Sequence, residues 1–229
     1  TALIFFALLV SVCPVALSAQ TTSDDAALIA TARKIHEKVI TLDTHNDIST
    51  TNFTDAVNYS QDLPNQVNIP KMRKGGLDVS WMIVYTGQGP LTDAGYAAAY
   101  KNAIDKFDAI HRLTEKIAPN DIGLALTSND VRRLVKEGKL VAMIGVENGY
   151  PIGTDLGRIK EFADRGARYM SLAHNGHSQL ADSNTGEADG KWLHNGLSDL
   201  GKKAIVELNK WDIMIDLSHP SKESNIQAI

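Results

Sequence analysis

The chain has 229 residues, of which 43% are hydrophobic and 22% charged, the profile of a globular protein with an ample core. Its 23 Lys and Arg against 27 Asp and Glu give a formal net charge of -4, and these residues are scattered rather than clustered. An acidic pI near 5.9 excludes the basic footprint that a phosphate backbone requires, so no nucleic-acid partner is expected.

Residues 1–19 read as a partial signal peptide. Ala2 to Ala19 is uncharged and apolar and closes on the small-residue run Ala16-Leu-Ser-Ala19, so cleavage is expected after Ser18 or Ala19 and the mature protein is expected to be secreted or periplasmic. Pro14 would break a spanning helix, and Val12 is bulkier than the residue that normally precedes a lipid-attachment cysteine, so membrane association would need some other anchor. The single cysteine, Cys13, lies in this segment, which leaves the mature protein without a disulfide. The sequence begins at Thr1 without a methionine and stops at Ile229 inside an expected helix, so a longer reading frame is expected on both sides.

Ser23 or Asp24 can cap a first helix whose apolar positions Leu28, Ile35 and Val39 keep helical spacing and lead into a strand, Val39 to Asp47. The polar stretch Ile48 to Gln66 is expected to be a long loop. Leu77 to Tyr85 reads as a strand, Tyr96 to Ile117 as a helix with Ile104, Phe107, Ile110, Leu113 and Ile117 on one face, and Ile122 to Leu126 as a short strand. Ser128 is expected to cap a helix to Glu137 that stops at Gly138 before a strand, Leu140 to Glu147. A helix from Asp155 to Arg165, a strand to His174, a helix from Ser198 to Lys210 and a strand ending at His219 complete the order. Strand and helix alternate about six times with no hairpin signal, which predicts parallel strands with helical crossovers. The expected fold is α/β, a (β/α)8 TIM-type barrel with about six of eight units present, spanning 20–229 as one C-terminally incomplete domain.

Four of these apolar runs end in metal-capable side chains: His45 and Asp47, Glu147, His174, and His219. At i and i+2 of a strand, His45 and Asp47 point to one side, the beginning of a chelate. Any one ending alone is more often an ordinary polar terminus, such as an Asx turn at His45-Asn-Asp47. Four together at the C-terminal rim of a parallel barrel point to an active site. Nitrogen and oxygen donors without sulfur suit zinc or a similar divalent ion in a hydrolytic centre rather than a structural zinc. His45 and Asp47 would hold one ion, Glu147 would bridge to a second, and His219 would ligate that second ion. A hydroxide shared by two such ions would attack a polarised carbonyl, with His174 outside the ligand set donating to the oxyanion, so His174 and Glu147 are the expected catalytic residues. Asp43 is expected to share a face with His45 and Asp47, where it would either orient His45 or serve as a buried structural carboxylate, and His36, His111, His177 and His194 are assigned to the background.

The motifs Leu42-Asp-Thr-His-Asn-Asp47, Gly145-Val-Glu-Asn-Gly149, Tyr169-Met-Ser-Leu-Ala-His174 with Ala181-Asp-Ser183, and Gly196-Leu-Ser198 with Ile215-Asp-Leu-Ser-His-Pro-Ser221 together resemble the membrane (renal) dipeptidase family. The resemblance runs from the first helix to Ile229 in matching order. It implies a zinc-dependent (β/α)8 peptidase that hydrolyses dipeptides and tolerates a D-residue at the C-terminal position. It further implies two zinc ions held by His45, Asp47, Glu147 and His219, with His174 contacting substrate. Family members are often dimers, so the resemblance implies a homodimer, which no feature of the chain shows independently. The family's second histidine on the second zinc, its substrate-gripping arginine and a further aspartate fall downstream of the segment matching His219, so they are expected beyond Ile229. The competing readings are another metal-dependent amidohydrolase acting on a lactam, lactone or N-acyl amino acid, and a noncatalytic metal-binding barrel.

Overall fold

The structure, a computed structural model, describes residues 23–229; the expected signal segment lies outside the described residues. Helix α1 (Ser23–His36) belongs to a unit ending at Lys38, and Val39 to Ile229 form a second compact unit. No helix among the described residues is long and apolar enough to cross a membrane.

The second unit is built on six parallel strands: β1 (Leu42–Asp47), β2 (Val79–Tyr85), β3 (Ile122–Leu124), β4 (Leu140–Glu147), β5 (Ala167–Ser171) and β6 (Met214–Asp216). Between them come α2 (Ile69–Gly75), α3 (Asp93–Arg112), α4 (Ser128–Lys136), α5 (Gly157–Asp164), α6 (Asn184–Asp189) and α7 (Asp199–Lys210), and α8 (Lys222–Ala228) follows β6. This is the repeating strand and helix order of a TIM-type barrel wall. The sheet runs β1-β2-β4-β5-β6, and short β3 pairs with the start of β4. Val141 pairs with both Val79 and Gly123, while Gly145 pairs with both Ile83 and Tyr169. One edge of β4 therefore meets β2 along its length, and the other meets β3 first and then β5.

Alternation along the strands divides the core in two. Met82 and Val84, Ala142, Ile144 and Val146, and Met170 face Phe107 and Ile110 of α3, Phe162 of α5 and Leu208 of α7 in the larger cluster. Val79, Trp81, Ile83, Val141 and Tyr169 form a smaller cluster on the opposite face. Glu147 keeps phase with Val141 and so emerges at the C-terminal end of this second face.

Several local expectations need correction. Strands β5 and β6 stop at Ser171 and Asp216, so His174 and His219 sit three residues beyond them, in the connecting loops. Helix α2, capped by Asn68, fills the stretch between the expected loop ending at Gln66 and the strand from Leu77, to which no element was assigned, with Pro70 in its first turn where a missing N–H costs nothing. Thr127 rather than Ser128 caps α4, because Thr127 and Asp130 complete a capping box.

Candidate metal centre

Glu147 is the centre of the constellation. Its side chain is 5% exposed, and its two oxygens face different groups: Oε2 lies 3.4 Å from His45 Nε2, and Oε1 lies 3.0 Å from His219 Nε2 and 3.4 Å from His174 Nε2. Asp47 Oδ1 lies 3.9 Å from His45 Nε2. Two donor groups result, His45, Asp47 and Glu147 on one side and Glu147, His174 and His219 on the other. All five residues singled out from the sequence meet here, drawn from β1, β4 and the loops after β5 and β6. His174 stands nearer to the second group than its expected place outside the ligand set suggests, with its ring 4.1 Å from that of His219.

Glu147, His219 and His174 are each held from behind. Asn148, with φ 78, turns the chain sharply after Glu147. It bears that conformation because its N–H donates to Ser171 Oγ at 2.9 Å, its amide donates to the Thr86 carbonyl at 3.0 Å, and its Oδ1 accepts the Tyr150 N–H at 3.1 Å. His219 also has positive φ, 75°, and its carbonyl accepts the Asn184 N–H at 2.8 Å, which ties the β6 loop to the α6 loop. The Tyr85 ring packs against His174 at 4.8 Å.

Asp43 does not orient His45. Its partner in β2 is Ser80 and that of Asn46 is Met82, alternate residues of one face, so an extra residue in β1 turns Asp43 away from the face that carries Asp47. Its carboxylate accepts the His45 backbone N–H at 3.1 Å instead. The imidazole is met by Tyr169, whose hydroxyl oxygen lies 3.3 Å from Nδ1 and donates to the Thr44 carbonyl at 3.0 Å. Sequence reasoning missed Tyr169. The available signal was Gly145, a glycine inside an apolar strand, which marks close approach of another group.

The donor set fits divalent metal: imidazole nitrogens and carboxylate oxygens converge from separate elements, sulfur is absent, and one buried carboxylate presents a separate oxygen to each side. The family model for membrane dipeptidases (peptidase family M19) matches residues 29–229. The chain belongs to the membrane dipeptidase family. Among curated relatives, it is 29% identical over 180 residues to dipeptidase aclJ of Aspergillus oryzae, covering 77% of this chain and 41% of that one. It is 27% identical over 174 residues to dipeptidase tcpJ of Claviceps purpurea, covering 74% and 40%. The chain thus spans less than half the length of these relatives. Among solved structures, the probable dipeptidase PvdM of Pseudomonas aeruginosa superposes with a TM-score of 0.79 at 24% identity, covering 89% of this chain and 52% of that one. A metallopeptidase of Rhodobacter sphaeroides, liganded with a phosphinate mimic of the dipeptide L-Ala-D-Ala, superposes with a TM-score of 0.67 at 17% identity, covering 83% and 61%. These neighbours share the barrel architecture expected for the family.

The histidines of this dipeptidase-family chain differ in their surroundings. Burial pushes the His174 imidazole below its ordinary pKa and nearby His219 and His45 add to the effect, against the pull of Glu147, so the ring is neutral at pH 7. Its Nδ1 is buried without a hydrogen-bond partner among the described residues, so no neighbour dictates its tautomer. Burial likewise raises the Tyr169 hydroxyl, with Asp216, Glu147, Asp47 and Asp43 adding to the rise, and keeps it protonated. His111, His177 and His194 lie outside the two donor groups. His111 pairs with Glu115 at 2.7 Å, His177 with buried Asp182 at 3.0 Å, and His194 with the Ser178 carbonyl at 3.0 Å.

Proposed function

We propose that the protein is a zinc-dependent dipeptidase with two ions per site. The observation that carries this reading is the division of the Glu147 carboxylate between His45 and Asp47 on one side and His219 on the other. His45, Asp47 and Glu147 would hold the first ion, and Glu147 with His219 the second. A pair of divalent ions supplies Lewis acidity and draws the pKa of water towards neutrality. The chain's own residues supply placement. The hydrogen-bonded turn at Asn148 anchors the chain next to Glu147, and the positive-φ backbone at His219 places that imidazole 3.0 Å from the Glu147 carboxylate. Neutral His174, whose tautomer is unconstrained, presents Nε2–H to the oxygen that becomes negative as a peptide carbonyl is attacked.

The substrate class follows from family membership and from the dipeptidase names of the relatives. Tolerance of a C-terminal D-residue is supported by the L-Ala-D-Ala mimic bound to the Rhodobacter neighbour. Residues 20–229 belong to the barrel domain in this reading, and the apolar stretch Ala2 to Ala19 supports export to the periplasm or beyond. The test is turnover by zinc-loaded full-length protein of L-Ala-D-Ala, an N-acyl amino acid and a lactone. Preferential cleavage of the dipeptide is expected. Cleavage of the lactone alone would assign the chain to another amidohydrolase activity, and turnover of none would favour the noncatalytic barrel.

A further inference from the structure

We propose that Tyr169 is the positioning residue for His45, fixing from across the sheet the tautomer in which Nε2 is free to bind metal; this inference rests on the metal-centre reading above. The two residues are far apart in sequence and lie on strands that are not neighbours, since β2 and β4 intervene between β1 and β5. Tyr169 reaches His45 because the strands between offer a slot. On β4 the position paired with Tyr169 is Gly145, where any Cβ would collide with the tyrosine ring. On β2 Trp81 stacks on the ring with centroids 4.9 Å apart and planes 26° from parallel. The two register irregularities at the flanks of the β1 to β5 path fall beside these same two residues, between Asp43 and Asn46 in β1 and between Ile144 and Gly145 in the β4 pairing with β5. Bulges re-aim side chains, and here both re-aim a side chain towards the other.

The direction of the hydrogen bonds sets the tautomer. The Thr44 carbonyl can only accept, so at 3.0 Å it takes the phenol proton. A lone pair of the phenol oxygen is then left for His45 Nδ1 at 3.3 Å, which must carry a hydrogen to use it. Nε2 of a neutral ring is consequently bare, and it is Nε2 that faces Glu147 and Asp47. Metal-binding histidines depend on such a partner at the other nitrogen, commonly a carboxylate or carbonyl, and its loss lowers metal affinity about 10–100-fold. A phenol whose own proton is committed to a backbone carbonyl does the same work without adding negative charge.

The test compares zinc binding by full-length wild type and Tyr169→Phe, which keeps the ring against Trp81 and Gly145 and removes only the hydroxyl. Zinc affinity is measured by chelator competition, and the His45 Nδ1–H is followed by 15N-resolved NMR in the zinc-loaded proteins, with far-UV circular dichroism of the metal-free proteins as a check on folding. The expected result is an unchanged fold, one zinc-binding step weakened about 10–100-fold, and an Nδ1–H signal protected from exchange in wild type but not in the variant. Equal affinities, or a weakened affinity with the Nδ1–H signal equally protected in both, would overturn the inference while leaving the metal centre standing. A wild type that takes up no zinc would overturn the metal-centre reading itself and the inference with it.

Discussion

Replacing Asp182 by Asn probes how the loops that carry the distal histidines are held. Asp182 is fully buried, and its carboxylate accepts the N–H groups of Leu193 at 2.9 Å, His194 at 3.1 Å and Gly196 at 3.0 Å. Its backbone carbonyl accepts the Ser221 N–H at 2.8 Å, two residues from His219, so one residue ties the loop after β5 to the loop after β6. An asparagine keeps one acceptor oxygen and turns an NH2 towards donors. At least one hydrogen bond to a charged acceptor, about 1.5–3 kcal/mol, is lost, and one buried N–H is left unsatisfied at about 1–3 kcal/mol. Asp182→Asn should therefore destabilise by about 3 kcal/mol or more. Burial alone would raise the Asp182 pKa, but the N–H groups of Gly196, Leu193 and His194 and the nearby His177 outweigh it and hold the carboxyl below its ordinary value. A depressed folded-state pKa contributes stability that is fully present above the unfolded carboxyl value of about 3.9 and is lost as pH falls through the folded value. Urea unfolding of metal-free wild type and variant should show the full difference at pH 7, with the gap closing below about pH 4. A difference under about 1 kcal/mol at pH 7, or one unchanged into acid, would refute this reasoning.

His174→Gln should lower kcat about 100–1000-fold with zinc content unchanged; loss of one zinc would instead make His174 a ligand, as its position near His219 and Glu147 permits. Phe107→Ala removes a fully buried ring packed against Phe162 and should cost about 3–5 kcal/mol in chemical unfolding. Thr127→Ala breaks the capping box of α4 and should cost about 1 kcal/mol by the same assay, with catalysis unaffected.

The strands were legible because their apolar runs are long and their C-terminal ends are polar. All six are present, and Glu147 ends its strand as the alternation requires. The convergence of the five side chains of the candidate metal centre was legible for the same reason, since side chains at the C-terminal rim of parallel strands meet at one place. What the sequence hid is of three kinds. Helices α2 and α6, of seven and six residues, are too short for periodicity to declare itself. The loops that carry His174 and His219 read as continued strand, because Leu172-Ala173 and Leu217 extend the apolar runs after pairing has stopped. The contact of Tyr169 with His45 spans β5 to β1 and depends on two register shifts, and an even alternation rule assigns Asp43 to the place that the shift in β1 denies it.

The central claim is that Glu147 bridges two metal ions. Anomalous diffraction at the zinc edge from crystals of the zinc-loaded full-length protein tests it most directly. The account predicts two anomalous peaks flanking the Glu147 carboxylate, one contacted by His45 and Asp47 and the other by His219, and fewer than two in Glu147→Gln. One peak in wild type, or two that persist undisturbed in Glu147→Gln, would contradict it.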